Sequence, residues 1–234
     1  MNSNEELLLT GNMQVQGRLV DASNATLVVE ISLGAESTQA IYKPIAGERP
    51  LWDFQDGNLA SRERAAFLIS EALNFHLVPM TILRDGPFGE GMVQQWIEIN
   101  EEIDLELFFR ERNEVLRKVV IFDAIINNTD RKIGHLLPLT QEHIYVCDHG
   151  VTFHEEDKLR TVLWQWAGED FTDMEISILR TLRTSLDDDR SQELSSLITE
   201  FEYDALLSRL DRLITEKTFP LPNPDWPAVP WPPY

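Results

Sequence analysis

Phe122-Asp-Ala-Ile-Ile-Asn-Asn-Thr-Asp-Arg-Lys-Ile-Gly-His-Leu-Leu137 is the stretch from which the fold can be inferred, because a strongly apolar run breaks there into a polar turn. The turn carries Asp130 and His135, five positions apart, and Asp148 follows in a second polar interruption, Val146-Cys-Asp-His-Gly150. The helical pattern before the turn predicts a helix that is buried at its end. Such a helix would bring the polar turn inside the protein, so we expect the chemistry there.

Composition restricts the function classes. The chain has 234 residues, of which 43% are hydrophobic and 26% are charged, which predicts a buried core. Its formal net charge of -20 disfavours nucleic acid and an anionic membrane surface, because both demand a basic field. Cys147 is the only cysteine, which excludes an intramolecular disulfide and fits a reducing cytoplasm. No apolar run approaches the roughly 20 residues that span a bilayer, so we expect a cytoplasmic protein without an integral membrane segment.

The first half has the pattern of a small sheet with one helix. Alternation and β-branched residues predict strands at 13–20, 26–33, 38–43, 80–83 and 92–97, and apolar residues at helical spacing predict a helix at 59–75. The first two strands form a hairpin whose turn contains Ser23 and Asn24. These side chains could line a phosphate, or they could simply build a polar turn.

Lys43 ends the third strand in the sequence Ala-Ile-Tyr-Lys, and the following Pro44 forces it into an extended conformation. A lysine in this position mimics the V-A-I-K strand, in which the ammonium group holds nucleotide phosphates. A lysine at a strand end is more commonly just solvated. Glu63 on the following helix is its predicted partner and Glu71 is the competing candidate, although an exposed glutamate is the commoner case on a helix.

The fifth strand runs into an acidic linker at residues 100–104, which predicts a hinge at Gln95, Trp96 and Ile97. The backbone of this hinge could hydrogen-bond an adenine. A buried tryptophan in an ordinary core is the alternative. No G-x-x-x-x-G-K-[ST] run occurs in the sequence, which disfavours a P-loop NTPase.

The second half is predicted to supply the acid–base and metal chemistry. A helix at 105–127 leads to Asp130, which could accept the proton of an attacking hydroxyl, or could belong to a surface Asx turn. Two strands at 136–139 and 143–147 form a hairpin that brings Asp148 back to the turn. A carboxylate there suits Mg²⁺, which prefers oxygen ligands and shares its other positions with phosphate and water.

The remaining elements are predicted to be scaffold. Helices are expected at 172–186, 191–198 and 203–217. The proline-rich stretch 219–234 carries two tryptophans that could dock on the body of the protein or on a partner.

The order of these residues resembles protein kinases, in which a base Asp stands five residues before a metal-binding Asn and a D-F-G Asp follows. The motifs at 127–132 (N-N-T-D-R-K) and 148–150 (D-H-G) resemble the phosphatidylinositol 3-/4-kinase-like superfamily more closely. More narrowly, 22–27 (A-S-N-A-T-L), 42–54 (Y-K-P-I-A-G-E-R-P-L-W-D-F) and 159–164 (L-R-T-V-L-W) look like an actinobacterial-type group of that superfamily.

This resemblance implies an α+β, bilobal kinase-like fold with ATP between the lobes. It divides the chain into a small antiparallel β-sheet lobe with one helix (1–99), a mainly helical lobe (100–218) and a Pro/Trp-rich tail (219–234). It also implies that Lys43 contacts the phosphates and pairs with Glu63, and that Asp148 binds Mg²⁺ or Mn²⁺. We expect Asp130, as the catalytic aspartate, to form the catalytic set together with Arg131 and Lys43.

His135 departs from the kinase pattern, because it stands where Asn is usual. Neutral imidazole suits manganese or zinc better than magnesium. The site therefore uses one metal, prefers manganese, or cannot transfer phosphate; alternatively, His135 only packs. We expect an ATP- and divalent-metal-dependent phosphotransferase that acts on a protein or small-molecule hydroxyl in preference to a lipid. The alternatives are a nucleotide-binding pseudokinase or scaffold, and an enzyme that transfers AMP.

Overall fold

The N-terminal part of the protein is a five-stranded antiparallel sheet in the order β1-β2-β3-β5-β4. In this computed structural model, residues 3–19, 24–187 and 192–234 are described. The strands are β1 (Asn12–Arg18), β2 (Leu27–Leu33), β3 (Glu36–Pro44), β4 (Thr81–Gly86) and β5 (Gly89–Gln95). All five predicted strands are present. The loop between β4 and β5 is shorter than predicted, because β4 continues to Gly86 and β5 begins at Gly89. Gly89, at φ +93°, allows the tight turn that follows Gly86.

A helix that the sequence pattern did not predict, α1 (Ser3–Thr10), precedes the sheet. Leu7 and Leu8 are buried against it in a small core. With eight residues, α1 is too short to give a reliable periodic signal. The prediction of a single helix in this part of the chain was therefore wrong. The small core consists of Leu7, Leu8, Leu27, Val29, Ile31, Ala40, Tyr42, Ile82 and Val93.

The predicted helix at 59–75 is α2 (Leu59–Ala72). Its first turn is fixed by the Asn58 side chain, which accepts from the Ser61 N–H, and by the Glu48 carboxylate, which accepts from the Leu59 and Ala60 N–H groups. Its buried face belongs to the larger core, which it shares with the C-terminal helices. The division of the chain at residue 99 remains a prediction.

The predicted helix at 105–127 is divided into α3 (Leu105–Phe108) and α4 (Glu114–Ile126). The break has a local cause: the Asp104 carboxylate caps α3, and the Asn113 side chain accepts from the Leu116 N–H to start α4. The single-helix prediction was therefore wrong. As predicted, α4 is buried toward its C-terminal end.

The rest of the C-terminal part is mainly helical. After a short hairpin of β6 (Leu136–Pro138) and β7 (Ile144–Val146) come α5 (Asp173–Ser185), α6 (Gln192–Leu197) and α7 (Glu200–Glu216). The last helix starts three residues before its predicted start, because Thr199 and Glu202 form a capping box. Among the helices of the described residues, none has the length and apolar character needed to cross a bilayer.

Candidate active site

Lys43, Glu63 and Asp148 meet in one ionic cluster between the sheet and the helical part. The Lys43 ammonium lies 2.6 Å from Glu63 Oε1 and 2.9 Å from Asp148 Oδ1. Burial alone would lower the pKa of Lys43, but the charges of Asp148 and Glu63 outweigh it and raise that pKa. Glu71, the competing candidate, instead contacts His76 at 2.8 Å. The sheet lysine, the helix glutamate and the D-H-G aspartate are therefore joined in a single contact set.

The carboxylates of the cluster are held in the ionised form. Burial alone would raise the pKa of Glu63, but the Lys43 ammonium and the neighbouring His149 lower it to about 2. The Lys43 ammonium also holds the pKa of Asp148 well below its usual range. The second oxygen of Glu63 accepts from the His149 backbone N–H at 2.9 Å. Glu63 therefore holds both Lys43 and the D-H-G segment.

Asp148 has a left-handed backbone conformation with φ 62°. Aspartate tolerates this region better than most residues. The hairpin of β6 and β7 delivers Asp148 to the end of the polar turn, as the sequence predicted. One carboxylate oxygen contacts Lys43, and the other lies 3.4 Å from His135 Nε2.

The polar turn (residues 127–135) is built on a buried ion pair between Arg131 and Asp123. Arg131 donates to both Asp123 oxygens at 2.9 and 2.8 Å and to the Cys147 carbonyl at 3.0 Å. The Asn128 side chain donates to the same aspartate at 3.0 Å. At the start of the turn, Asn127 ends α4 in the left-handed region. These contacts fix the backbone on both sides of Asp130.

Arg131 does not line the site, which corrects its predicted place in the catalytic set. Its side chain is 0% exposed, and its guanidinium contacts Asp123, the Cys147 carbonyl and His149. A guanidinium enclosed in this way cannot touch a substrate. The sequence pattern does not indicate this burial, because arginine is among the residues least often fully buried.

Asp130 is the partly exposed carboxylate of the turn. Its own N–H donates to Asn128 Oδ1 at 3.0 Å. Its carboxylate lies 3.3 Å from the Lys132 ammonium and 3.4 Å from the Arg160 guanidinium. Burial raises the pKa of Asp130 and the charge of Asp148 adds to this effect, while Lys132 and Arg160 oppose it. A carboxylate with a raised pKa is a better proton acceptor, so Asp130 can serve as a general base.

Arg160 is a site residue that sequence reasoning missed. It donates to the Thr129 carbonyl at 2.7 Å and approaches Asp130 from a loop that follows the D-H-G segment. One feature of the sequence points to Arg160: it lies in the stretch 159–164, which carries the family resemblance. That feature assigned it no role.

His135 lies beside Asp148 and is the second side chain that could hold a metal. Burial lowers the pKa of His135 to about 4, although the charge of Asp148 opposes this effect, so the imidazole is neutral at pH 7. Its Nε2 and the facing Asp148 oxygen are 3.4 Å apart. Adjacent ligands of an octahedral Mg²⁺ site lie roughly 3 Å apart, so this pair fits two neighbouring positions of one ion.

The donor set is small. Within the residues that the structure describes, no group of three or more His, Cys, Asp or Glu side chains is arranged to hold a metal ion. An ion held by Asp148 and His135 would therefore take its remaining ligands from phosphate oxygens and water, which is usual for nucleotide-bound Mg²⁺.

The sequence has a close relative among curated proteins. It is 39% identical over 261 residues to Protein Rv2133c of Mycobacterium tuberculosis, with 97% of this chain and 94% of that protein covered. The chain belongs to the family of Protein Rv2133c. No protein-family model matches the sequence.

Solved structures of the Golgi casein kinase have a similar fold. A crystal structure of the Golgi casein kinase has a TM-score of 0.52 and 14% identity, covering 89% of this chain and 72% of that one. A crystal structure of the Golgi casein kinase with Mn/ADP bound has a TM-score of 0.58 and 14% identity, covering 89% and 73%. The prediction of an α+β, bilobal kinase-like fold is therefore confirmed.

The backbone of the predicted hinge is partly engaged within the protein. The Gln95 N–H donates to the Met80 carbonyl at 2.9 Å, and the Trp96 N–H donates to the Gln39 carbonyl at 3.1 Å. Neither N–H is available to an adenine in this arrangement. Among the described residues, the Ile97 N–H has no protein acceptor, and binding of adenine by the backbone of this hinge stays a prediction. Trp96 is 36% exposed, so it is not an ordinary core tryptophan.

The two residues predicted to line a phosphate differ in what can be said of them. Ser23 lies outside the described residues. The Asn24 side chain accepts from the Arg49 N–H at 2.9 Å. This contact connects the first hairpin to the loop that follows Lys43, and a role for either residue in phosphate binding stays a prediction.

Proposed function

We propose that the chain is an ATP- and divalent-metal-dependent phosphotransferase of the phosphatidylinositol 3-/4-kinase-like superfamily. The observation that carries the proposal is the contact of Lys43 with both Glu63 and Asp148, at 2.6 and 2.9 Å. In kinases, the strand lysine pairs with a helix glutamate while a downstream aspartate binds the metal. Residues from the sheet, α2 and the D-H-G segment meet here with the polarity that this reaction needs.

Each residue has a role that follows from its position. Lys43 would donate to phosphate oxygens, and Glu63 keeps it charged and aimed. Asp148 and His135 would hold Mg²⁺ or Mn²⁺, which neutralises phosphate charge when bound. Asp130 would accept the proton of the attacking hydroxyl, helped by its raised pKa. The casein kinase structure with Mn/ADP bound supports ATP and manganese as the cofactors to test first.

The acceptor we propose is a protein or small-molecule hydroxyl, in preference to a lipid. The formal net charge of -20 opposes approach to an anionic bilayer. The name of the fold neighbour, a casein kinase, is in line with a protein acceptor. Lipid vesicles should therefore be tested together with protein and small-molecule acceptors.

The test is metal-dependent turnover by the purified chain. Labelled ATP is incubated with Mg²⁺ or Mn²⁺, and hydrolysis, self-labelling and labelling of a cell lysate are measured for the wild type and for Asp130→Asn and Asp148→Asn. We expect turnover that both substitutions abolish. Asp204→Asn is the matched control, because Asp204 is an exposed aspartate on α7. Absent turnover, or turnover that Asp130→Asn does not change, would overturn the proposal.

His135 supports one second candidate, a nucleotide-binding pseudokinase or scaffold. It occupies the position of the usual metal-binding Asn with a nitrogen ligand, which Mg²⁺ does not favour. Calorimetric binding of ATP without turnover in either metal would support this candidate. Intact-mass measurement of labelled proteins separates phosphoryl transfer from AMP transfer.

A further inference from the structure

Residues 219–234, here called the Pro/Trp segment, run back along the helical lobe to the polar turn. The Ala228 carbonyl accepts from the Thr161 N–H at 3.0 Å and from the Trp164 indole N–H at 2.9 Å. The Pro233 carbonyl accepts from the Ile133 N–H at 2.9 Å. The segment therefore docks on the body of the protein, which is one of the two outcomes that its sequence allowed.

The segment contacts the polar turn directly at Ile133 and indirectly through residues 160–162. Ile133 lies between Asp130 and His135 in the chain, so the Pro233 contact acts on the spacer that separates them. Residues 160–162 lie between the turn and the segment: the Arg131 N–H donates to the Arg160 carbonyl at 3.0 Å, and the Thr161 N–H points the other way, to Ala228. The segment forms an outer layer over the loop that supports Asp130.

A side-chain contact leads from the segment to the Asp130 carboxylate. The Trp226 ring centroid lies 5.0 Å from the Lys158 ammonium and 6.0 Å from the Arg160 guanidinium carbon, which is within the range of cation–π attraction. Arg160 in turn donates to the Thr129 carbonyl at 2.7 Å and lies 3.4 Å from Asp130. Trp226 thus contacts the arginine that contacts Asp130.

We propose that the Pro/Trp segment is a built-in positioning element of the active site, in which Trp226 and Arg160 are positioning residues for Asp130. The docking is independent of the proposed function, whereas the effect on turnover rests on it. Trp231, in the same segment, is 88% exposed and provides a matched control of the same residue type.

The docking is tested by hydrogen–deuterium exchange of the full chain and of a variant that lacks residues 226–234. We expect the amides of Ile133 and Thr161 to lose protection in the truncated variant, while those of β2 and β3 keep it. Trp226→Ala, measured in the same way, serves if the truncated chain does not fold. Unchanged exchange at 128–135 and 160–162 would overturn the proposal.

The positioning role is tested by kinetics with the ATP-dependent turnover assay. Trp226→Ala should lower kcat by about twofold to thirtyfold and Arg160→Ala by roughly tenfold to a hundredfold. In both variants, KM for ATP should stay near the wild-type value, since Lys43 and Asp148 are untouched, and the protein should remain folded at the assay temperature in thermal unfolding. Trp226→Phe should restore most of the rate because it keeps an aromatic ring, and Trp231→Ala should behave as wild type.

The outcomes separate this proposal from the proposed function. Turnover that depends on Asp130 but is unchanged in Trp226→Ala and Arg160→Ala would overturn the positioning role alone. A loss of kcat that only follows a loss of thermal stability, or an equal loss in Trp231→Ala, would also overturn it. If the wild type has no turnover, the proposed function fails, while hydrogen exchange still decides whether the segment is docked on the polar turn.

Discussion

Replacing either member of the Arg131–Asp123 pair should be among the most destabilising single changes in this protein. Both side chains are fully enclosed, at 0% and 1% exposure, and the guanidinium makes two hydrogen bonds to the carboxylate. Asp123→Ala leaves a buried guanidinium without its counter-ion, and Arg131→Met leaves a buried carboxylate. Asp123→Ala also removes the hydrogen bond from Asn128, and Arg131→Met removes the one to the Cys147 carbonyl, so each variant loses part of the support for the polar turn.

The expected magnitude follows from the burial. Removing one partner of a buried ion pair costs about 3–5 kcal/mol, because the remaining charge keeps its desolvation penalty without its attraction. For a chain of this length, each kcal/mol lowers the melting temperature by about 2–4 °C, which predicts a decrease of roughly 6–20 °C. Asp123→Ala combined with Arg131→Met removes both charges, so its cost should be smaller than the sum of the two single costs.

Urea unfolding of the single and double variants forms a double-mutant cycle that measures the pair. Asp187→Ala is the control, because Asp187 contacts Arg183 at 2.6 Å on the surface with 62% of its side chain exposed. That change should cost at most about 0.5 kcal/mol. Single substitutions in the buried pair that each cost less than about 1 kcal/mol would refute the reasoning, as would a double variant as unstable as the sum of both.

Three further predictions concern the cluster around Lys43. Glu63→Gln should lower kcat/KM for ATP by roughly tenfold to a hundredfold, because Lys43 loses a charge-assisted hydrogen bond. Glu71→Gln, the control, should leave kcat/KM unchanged. Equal effects of the two substitutions in steady-state assays would contradict the pairing of Lys43 with Glu63. His135→Asn should raise the ratio of Mg²⁺- to Mn²⁺-supported activity and weaken Mn²⁺ binding measured by electron paramagnetic resonance, and an unchanged ratio would remove His135 from the metal site. The pKa of Glu63 is about 2 in the folded protein against an ordinary value of 4.5, so its stabilising contribution is fully present above about pH 4.5 and is lost as the pH falls toward 2. The free energy of unfolding of Glu63→Gln should therefore depend less steeply on pH in that window than that of the wild type. Parallel curves would contradict the lowered pKa.

The residues of the site that could be predicted from sequence are those that lie in short, contiguous sequence patterns. Lys43 was located by the strand that ends at Pro44, and Asp148 by the apolar residues on both sides of it. Glu63 could be named only as one of two candidates, because periodicity places a residue on a helix face but does not decide which glutamate reaches the lysine. The 2.6 Å contact between the Lys43 ammonium and Glu63 Oε1 identifies Glu63 as the partner.

The parts that could not be predicted depend on tertiary contacts or on very short elements. Arg160 comes to Asp130 from a loop without periodicity, and nothing in its neighbours along the chain indicates the direction of its side chain. The burial of Arg131 depends on Asp123, which the sequence pattern counts as a polar interruption of an apolar helix. In the same way, α1 has too few residues for a periodic signal, and the break between α3 and α4 is fixed by two caps.

The position of α2 decides whether the cluster can assemble, because Glu63 contacts Lys43 with one oxygen and the D-H-G backbone with the other. A shift of α2 would therefore break both contacts together. Two anchors oppose such a shift: the Glu48 carboxylate holds the first turn, and Arg62 forms a buried ion pair with Glu202 of α7 at 2.7 Å. These anchors hold α2 against the loop after Lys43 and against α7. The fold therefore keeps Glu63 within contact distance of Lys43 and of the D-H-G segment.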